Sequence, residues 1–249
     1  MEMKYQLSIN DFDKENYLPF GDGNIYLHKG IRPDTPICRY IPLDYLIDLL
    51  SNKKLYVSNR INLNDKREQG IKENPKYQFP LSIVDRSKKI TQQEAEHTWQ
   101  KHQAAFSTCV SCWTKRKEES IMLWTCYGTQ SCRISTSTDR LIKAITLPSG
   151  YMVVIAPVKY DDNEFQSGCD DWIFKKYKAY EDEQEIRLCV LSNEHHVLLD
   201  IDTELLIEGI MLNPFFTKSY RQFISDSIVR KFSFLEGKIQ NSHLLEKVK

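Results

Sequence analysis

Glycine is scarce in this sequence, and its scarcity narrows the kinds of nucleotide site that the chain can form. Only nine of the 249 residues are glycine, and none of them has the Gly-x-Gly-x-x-Gly spacing of a loop that cradles phosphates. The sequence therefore excludes the classical nucleotide-binding folds, in which such a loop joins a strand to a helix.

An excess of charge and long apolar runs are missing as well. The 34 Lys and Arg residues balance 34 Asp and Glu residues, so no net field attracts nucleic acid or an anionic membrane. The longest apolar run, around residues 151–156, is far shorter than the roughly 20 residues that span a bilayer. The chain starts without the apolar core of a signal peptide, and its seven cysteines are an odd number. We expect a soluble, cytoplasmic protein with no membrane partner.

The residues that are present indicate a globular α+β protein. Hydrophobic residues make up 41% of the chain and aromatic residues 11%, which is typical of a chain that buries a core. Glycine and proline in residues 1–36 predict an irregular N-terminal arm, and residues 37–249 are expected to form one α+β domain. Apolar spacing predicts strands at 38–41, 54–58, 106–113, 133–137, 151–160, 185–191, 197–200 and 205–212, and helices at 43–50, 90–105, 119–127, 139–145, 171–180 and 218–232.

The most informative segment lies at residues 180–191, where a group of carboxylates leads into an apolar run. Glu185, Arg187 and Cys189 share one face of the predicted strand, and aliphatic residues occupy the other. Crowded carboxylates repel one another, so a cation or a developing positive charge is expected to compensate Glu183 and Glu185. A structural ion network is a common alternative for such a cluster.

Two clusters elsewhere have a structural interpretation that we favour. Cys109 and Cys112 have the spacing of half a zinc site, which Cys126, Cys132 or His102 would complete. Because structural zinc sites usually pair two such units, small buried cysteines are favoured and no metal is predicted. Likewise, the lysines at 175, 176 and 178 could hold phosphates, but screening of the nearby Glu181 and Glu183 is the simpler interpretation.

The helix predicted at 119–127 carries two large aromatic residues. Trp124 and Tyr127 are three residues apart, so they lie on one helical face, and we expect the helix to bury Met122, Leu123 and Cys126. The two aromatic residues could form a stacking platform for a nucleobase or nicotinamide ring, although core packing is favoured from the spacing alone.

Several short motifs follow one another in the order of a known bacterial family. They are Arg39-Tyr40 in a first strand, Leu-Tyr-Val-Ser ending at Ser58, Asn-Asp-Lys-Arg-Glu at 64–68, Cys-Trp-Thr at 112–114, Met-Leu-Trp-Thr-Cys-Tyr at 122–127, Val-Lys-Tyr at 158–160, Glu183-x-Glu185-x-Arg187, and Ile-Glu-Gly-Ile-Met-Leu-Asn-Pro at 207–214. On these motifs, residues 37–245 resemble the family catalogued as domain of unknown function 2971. The chain departs from that family in the middle of the 64–68 loop and at 129–132, where the family usually has a His-Lys-Gly turn.

The layout of that family is similar to the ADP-ribosyltransferase fold, which implies a central, largely antiparallel split sheet flanked by helices and NAD as co-substrate. The resemblance implies that Glu185 stabilises an oxocarbenium-like ribose and that Glu183 positions the acceptor, which is protein or nucleic acid. It further implies a cofactor site formed by Arg39, Tyr40, Ser58, Trp124, Tyr127 and Arg187. Such a protein is expected to be a toxin or effector in antiphage defence or a toxin–antitoxin system, with an antitoxin or defence-complex partner.

Two other functions stay open. The first is a noncatalytic domain that binds a nucleotide or a partner, in which Glu183, Glu185 and Arg187 form a structural network. The second is a Mg²⁺-dependent nuclease in which Asp65, Glu183 and Glu185 hold the metal. The nuclease is the weaker of the two, because Arg187 stands where such enzymes carry a catalytic lysine.

Overall fold

A computed structural model describes residues 5–21, 23–60, 63, 92–106, 108–162, 168–192, 194–242 and 244–245. In these ranges the strands are β1 Tyr17–Phe20, β2 Ile25–His28, β3 Pro36–Pro42, β4 Lys54–Asn59, β5 Cys109–Thr114, β6 Ser131–Ser137, β7 Ile145–Thr146, β8 Val153–Pro157, β9 Lys159–Tyr160, β10 Lys175–Lys176, β11 Glu185–Val190, β12 His196–Ile201, β13 Gly209–Leu212 and β14 Ile239–Asn241. The α-helices are α1 Leu43–Asn52, α2 Gln92–Phe106, α3 Ile121–Cys126, α4 Thr138–Ala144, α5 Cys169–Phe174, α6 Thr203–Leu206 and α7 Lys218–Lys231, and 3-10 turns lie at Ile9–Asp11, Lys14–Asn16, Lys178–Glu183 and Ser233–Leu235.

One twelve-stranded mixed sheet organises the fold. Its main path runs β1-β2-β8-β11-β5-β3-β6-β13-β14, with β4, β12 and β7 branching from β5. Most neighbours are antiparallel, and the parallel pairs in this sheet are β2 with β8 and β13 with β14. The predicted α+β class and the largely antiparallel sheet are therefore confirmed. None of the described helices is long and apolar enough to cross a bilayer.

Both faces of β11 are buried because a separate core covers each of them. Ile186, Leu188 and Val190 join the larger core, and Cys189 joins a second core that includes α5. Glu185 and Arg187 point to the same face as Cys189, since alternate residues of a strand share a face. The charged pair is therefore held inside the protein, at the start of the strand.

The structure differs from the sequence-based expectations in two segments. Residues 1–36 contain β1 and β2, and β2 extends the main sheet by pairing with β8, so the described part of this segment is not an irregular arm. Four-residue strands are too short for their alternation to stand out in the sequence. The helix predicted over 171–180 ends at Phe174, because Lys175 and Lys176 pair with β9 instead.

β5 has an incomplete ladder on one side, and this feature positions the candidate site. β11 pairs with all of β5, but on the other side β4 reaches only its first two residues and β3 only its last. The single β3 contact joins Cys38 to Thr114, and the rest of β3 pairs with β6. Residues 111–113 therefore lack a ladder partner on that side within the described chain.

Candidate functional site

A buried ion network surrounds Glu185 at the start of β11. Its Oε1 accepts from Arg187 Nε at 2.7 Å, and its Oε2 lies 2.8 Å from Lys176 Nζ. The same Lys176 ammonium is 2.7 Å from Glu183 Oε2, so it bridges the two carboxylates. Arg187 also donates to the Ile173 carbonyl at 2.6 Å, which ties the network to α5.

The network keeps Glu185 ionised although it is only 4% exposed. Burial on its own would raise the pKa of this carboxyl, but the attraction of Arg187 and then of Lys176 outweighs it and lowers the pKa below its ordinary value. Glu185 is therefore a fixed negative charge at neutral pH.

Arg39 lies beside the unpaired stretch of β5. Its guanidinium carbon is 5.8 Å from the centre of the Trp113 ring, and its side chain has no hydrogen bond or ion pair within the described chain. Burial lowers the pKa of Arg39, while the nearby Tyr127 and Cys112 act in the opposite direction. A half-buried cation without a counter-charge is a favourable place for an anionic ligand.

The aromatic residues form a stack in which each ring has a different role. Tyr40 meets Trp124 edge-on at 4.7 Å between ring centres and stacks on Tyr127 at 6.2 Å. Trp124 is 0% exposed and donates its indole N–H to Glu119, whereas Tyr127 is 37% exposed. Tyr40 is buried, and its hydroxyl accepts from the Ser120 amide at 3.2 Å. Trp124 and Tyr40 thus form the buried part of the stack, and Tyr127 is its partly exposed member.

The tyrosine hydroxyl links the aromatic stack to the charged groups. Burial raises the pKa of Tyr127, and the charges of Cys112, Glu185 and Glu183 raise it further, whereas Arg39 opposes them. The cation and the two carboxylates therefore act on the pKa of this hydroxyl in opposite directions. Register places Tyr40 and Glu185 on one face, because Cys38 on β3 pairs with Thr114 and Thr114 pairs with Glu185. Arg39 follows Cys38 and contacts Trp113, so its Cβ leaves β3 on the other face, at the gap between β3 and β5.

Ser58 is the candidate residue that lies farthest from this convergence. Ser58 pairs with Val110 on β5, whereas Glu185 pairs with Thr114 on the same strand. Val110 and Thr114 are four positions apart, which is roughly 13 Å along the strand. The Ser58 hydroxyl donates to the Asn59 carbonyl at 3.3 Å. Asn64, Asp65 and Glu68 lie outside the described residues.

The sequence reasoning missed two groups that hold Glu185. Lys176 was expected to screen Glu183, which the structure confirms, but its contact with Glu185 was not foreseen. The Tyr160 hydroxyl accepts from the Glu185 amide at 2.7 Å. Tyr160 is the last residue of the Val-Lys-Tyr motif at 158–160, but no sequence pattern indicates that this tyrosine contacts the start of β11.

The cysteines and carboxylates offer little to a metal ion. Cys109 and Cys132 are buried while Cys126 is exposed, and no group of three or more His, Cys, Asp or Glu side chains could hold a metal within the described ranges. The position between Glu183 and Glu185 that Mg²⁺ would need is occupied by the ammonium of Lys176. This arrangement gives the nuclease hypothesis the least support.

Comparison with protein-family models gives no match for this sequence. Comparisons with curated proteins and with solved structures also give no match. The resemblance to domain of unknown function 2971 and to ADP-ribosyltransferases therefore stays a prediction, and the geometry of the site carries the functional argument.

Proposed function

We propose that this protein binds NAD where β3 and β5 diverge and consumes it as an ADP-ribosyltransferase or NAD glycohydrolase. Three groups around the gap between β3 and β5 carry the proposal: a cation with no ion pair among the described residues, a partly exposed tyrosine ring stacked on β3 and an ionised buried carboxylate on β11. They are Arg39, Tyr127 and Glu185. NAD has a partner for each of them, namely its pyrophosphate, its nicotinamide ring and its ribose.

Arg39 is the group that recognises the pyrophosphate. A guanidinium binds phosphate oxygens through charge-assisted hydrogen bonds, and these strengthen where water is partly excluded. Because no described carboxylate competes for Arg39, the pyrophosphate would bind without breaking an existing ion pair.

Tyr127 is the group that contacts the nicotinamide ring. The exposed part of the Tyr127 ring is available to a ligand. The ring stacks on Tyr40, and Tyr40 in turn packs against the buried Trp124. Offset stacking of two aromatic rings contributes about 0.5–1.5 kcal/mol beyond the area that it buries. The buried Trp124 supports this platform but is not expected to touch the ligand.

Glu185 supplies the negative charge that the reaction requires. Cleavage of the nicotinamide bond passes through a ribose with oxocarbenium character, which a fixed carboxylate stabilises in a water-poor site. Glu183 has a side chain that is 22% exposed, and it is placed to position an acceptor. The acceptor would be protein, nucleic acid or water, and such an activity suits a toxin or effector of a bacterial defence or toxin–antitoxin system.

A noncatalytic nucleotide-binding domain is the second candidate. It is favoured by the double pairing of Glu185, in which Arg187 and Lys176 engage both carboxylate oxygens and leave the side chain 4% exposed. In that case Arg39 and Tyr127 bind the nucleotide, and Glu185 only holds β11 in place.

Nicotinamide release from NAD distinguishes the two candidates. We expect the wild type to release nicotinamide, Glu185→Gln to bind NAD but lose at least about 100-fold in turnover, and Glu181→Gln to behave as the wild type. Glu181 is the matched control because it is an exposed carboxylate in the same segment. NAD binding with no turnover in any variant supports the second candidate, and absence of NAD binding to the wild type refutes the first.

A further inference from the structure

A second arginine with unbonded N–H groups lies one strand away from the candidate site. Arg133 on β6 is directly opposite Tyr40 on β3 and is only 7% exposed. Its Nε and Nη1 have no hydrogen-bond partner in the described structure, and its Nη2 makes one long contact of 3.5 Å with the Lys117 carbonyl. Buried donors are rarely left unbonded, because each of them has lost its hydration without replacement.

A cavity of about 250 Å³ is lined in part by Arg133. Three neighbouring strands form its walls: Arg133 and Ser135 on β6, Met211 and Gly209 opposite them on β13, and Gln240 on β14. These positions share one face of the sheet because each is paired with the next. The cavity is several times larger than one water molecule and smaller than most drug-sized sites, so it suits a small ligand group.

The charge of the cavity is positive within the described residues. Glu208 is the one carboxylate in its lining, and its Oε1 lies 3.6 Å from Arg140 Nε, so a different cation compensates it. Arg133 has no ion pair in the same ranges. An anion is therefore the ligand that the lining would stabilise.

We propose that this cavity binds a phosphate monoester group, with Arg133 as the charged group that attracts it. Its Nε and Nη1 have almost no accessible surface themselves, so Arg133 acts on an anion in the cavity through its positive charge. A phosphate monoester has up to two negative charges to meet the charge of Arg133, and its three terminal oxygens can accept from the Ser135 hydroxyl and the Gln240 amide in the lining. A carboxylate offers two coplanar oxygens and one charge, so it matches this arrangement less well. The site uses none of Arg39, Tyr127 and Glu185, so it does not depend on the NAD proposal.

Calorimetric titration with phenyl phosphate tests the site, with inorganic phosphate and acetate as comparison ligands. We expect Arg133→Met to weaken phenyl phosphate binding by about tenfold or more, and Arg133→Lys, which keeps the charge, to weaken it less. Arg32→Met is the control, because it removes an exposed arginine charge that is paired with Asp34, and its affinity should stay within about twofold of the wild type. Arg39→Met should likewise retain the phosphate site, which separates this test from that of NAD binding.

Three results would overturn the proposal. They are the absence of phenyl phosphate binding to the wild type, equal affinities for wild type and Arg133→Met, and acetate binding as tight as that of phenyl phosphate. Folding of the variant is checked by melting without ligand. Because the unbonded donors of Arg133 contribute little to the empty protein, Arg133→Met should melt at or above the wild-type temperature, and a marked fall would contradict the absence of partners.

Discussion

Arg187 is the part of the buried ion network whose loss we expect to destabilise the protein most. It is fully buried, and it donates to Glu185 Oε1 at 2.7 Å, to Glu185 Oε2 at 3.4 Å and to the Ile173 carbonyl at 2.6 Å. Arg187→Met keeps an apolar chain of similar length but removes the charge and these hydrogen bonds. Among the described residues Glu185 is then left with Lys176 as its charged partner, and the carbonyl of Ile173 loses a donor.

The expected loss in the free energy of unfolding depends on the contacts that Glu185 keeps in Arg187→Met. Removing one partner of a buried ion pair typically destabilises a protein by about 3–5 kcal/mol. Because Lys176 still lies 2.8 Å from Glu185, we expect the lower end of that range, about 3 kcal/mol. For a domain of this size each kcal/mol lowers the melting temperature by about 2–4 °C, so the fall should be roughly 6–12 °C.

Urea unfolding followed by circular dichroism at pH 7 measures this cost. Arg39→Met is the matched control, and it should lose less than about 1 kcal/mol because Arg39 has no ion pair within the described chain. Adding Glu185→Gln to Arg187→Met should recover part of the loss, since the uncompensated carboxylate is then gone. Equal losses for the two arginine variants, or a strictly additive double variant, would refute the reasoning.

Three further predictions concern acid stability, the aromatic stack and thiol reactivity. Folding lowers the pKa of Glu185 below its ordinary value of 4.5, so the ionised carboxylate stabilises the folded protein above pH 4.5. This stabilisation is lost as the pH falls from 4.5 towards the pKa of the folded state. The urea midpoint should therefore fall less steeply between pH 7 and pH 3 in Glu185→Gln than in the wild type. Trp124→Ala should cost about 3–5 kcal/mol in the same assay and Tyr127→Ala about 1–2, because only the tryptophan is fully buried; similar costs would contradict their assignment. A thiol reagent should label Cys126 first, since it is the exposed cysteine and burial raises the pKa of Cys109 to about 12; fast labelling of Cys109 would contradict its burial.

Long periodic segments were predictable from the sequence. β3, α1 and β4 follow one another as the sequence predicted. The helix is ten residues long and has a continuous apolar face, so its periodicity distinguishes it from the strands on either side. The strand from Glu185 was predictable for the same reason. Its burial on both faces was not, because the elements that cover each face are distant in sequence.

Short segments were less predictable, and α3 shows why. The prediction that Met122 and Cys126 are buried was wrong: both are exposed, while Leu123 and Trp124 pack against Tyr40. A six-residue helix covers less than two turns, so its apolar spacing does not fix which side faces the sheet. The expected strand over 205–212 similarly divides into the end of α6 and β13.

Part of the candidate site could be predicted from residue types alone. The sequence indicated that Glu183 and Glu185 need a compensating cation, and the structure supplies Arg187 and Lys176. It could not indicate that Arg39 has no ion pair with another described residue, because that depends on the folded arrangement. That feature is the one on which the proposed NAD binding depends most.

The affinity of NAD for the wild type and for Arg39→Met is the measurement that tests this claim most directly. We expect calorimetry to show NAD binding to the wild type and to Arg32→Met with similar affinity. Arg39→Met should bind at least about tenfold more weakly, because the pyrophosphate loses its charge-assisted hydrogen bonds. Unchanged NAD affinity in Arg39→Met, or no binding to the wild type, would contradict a nucleotide site between β3 and β5.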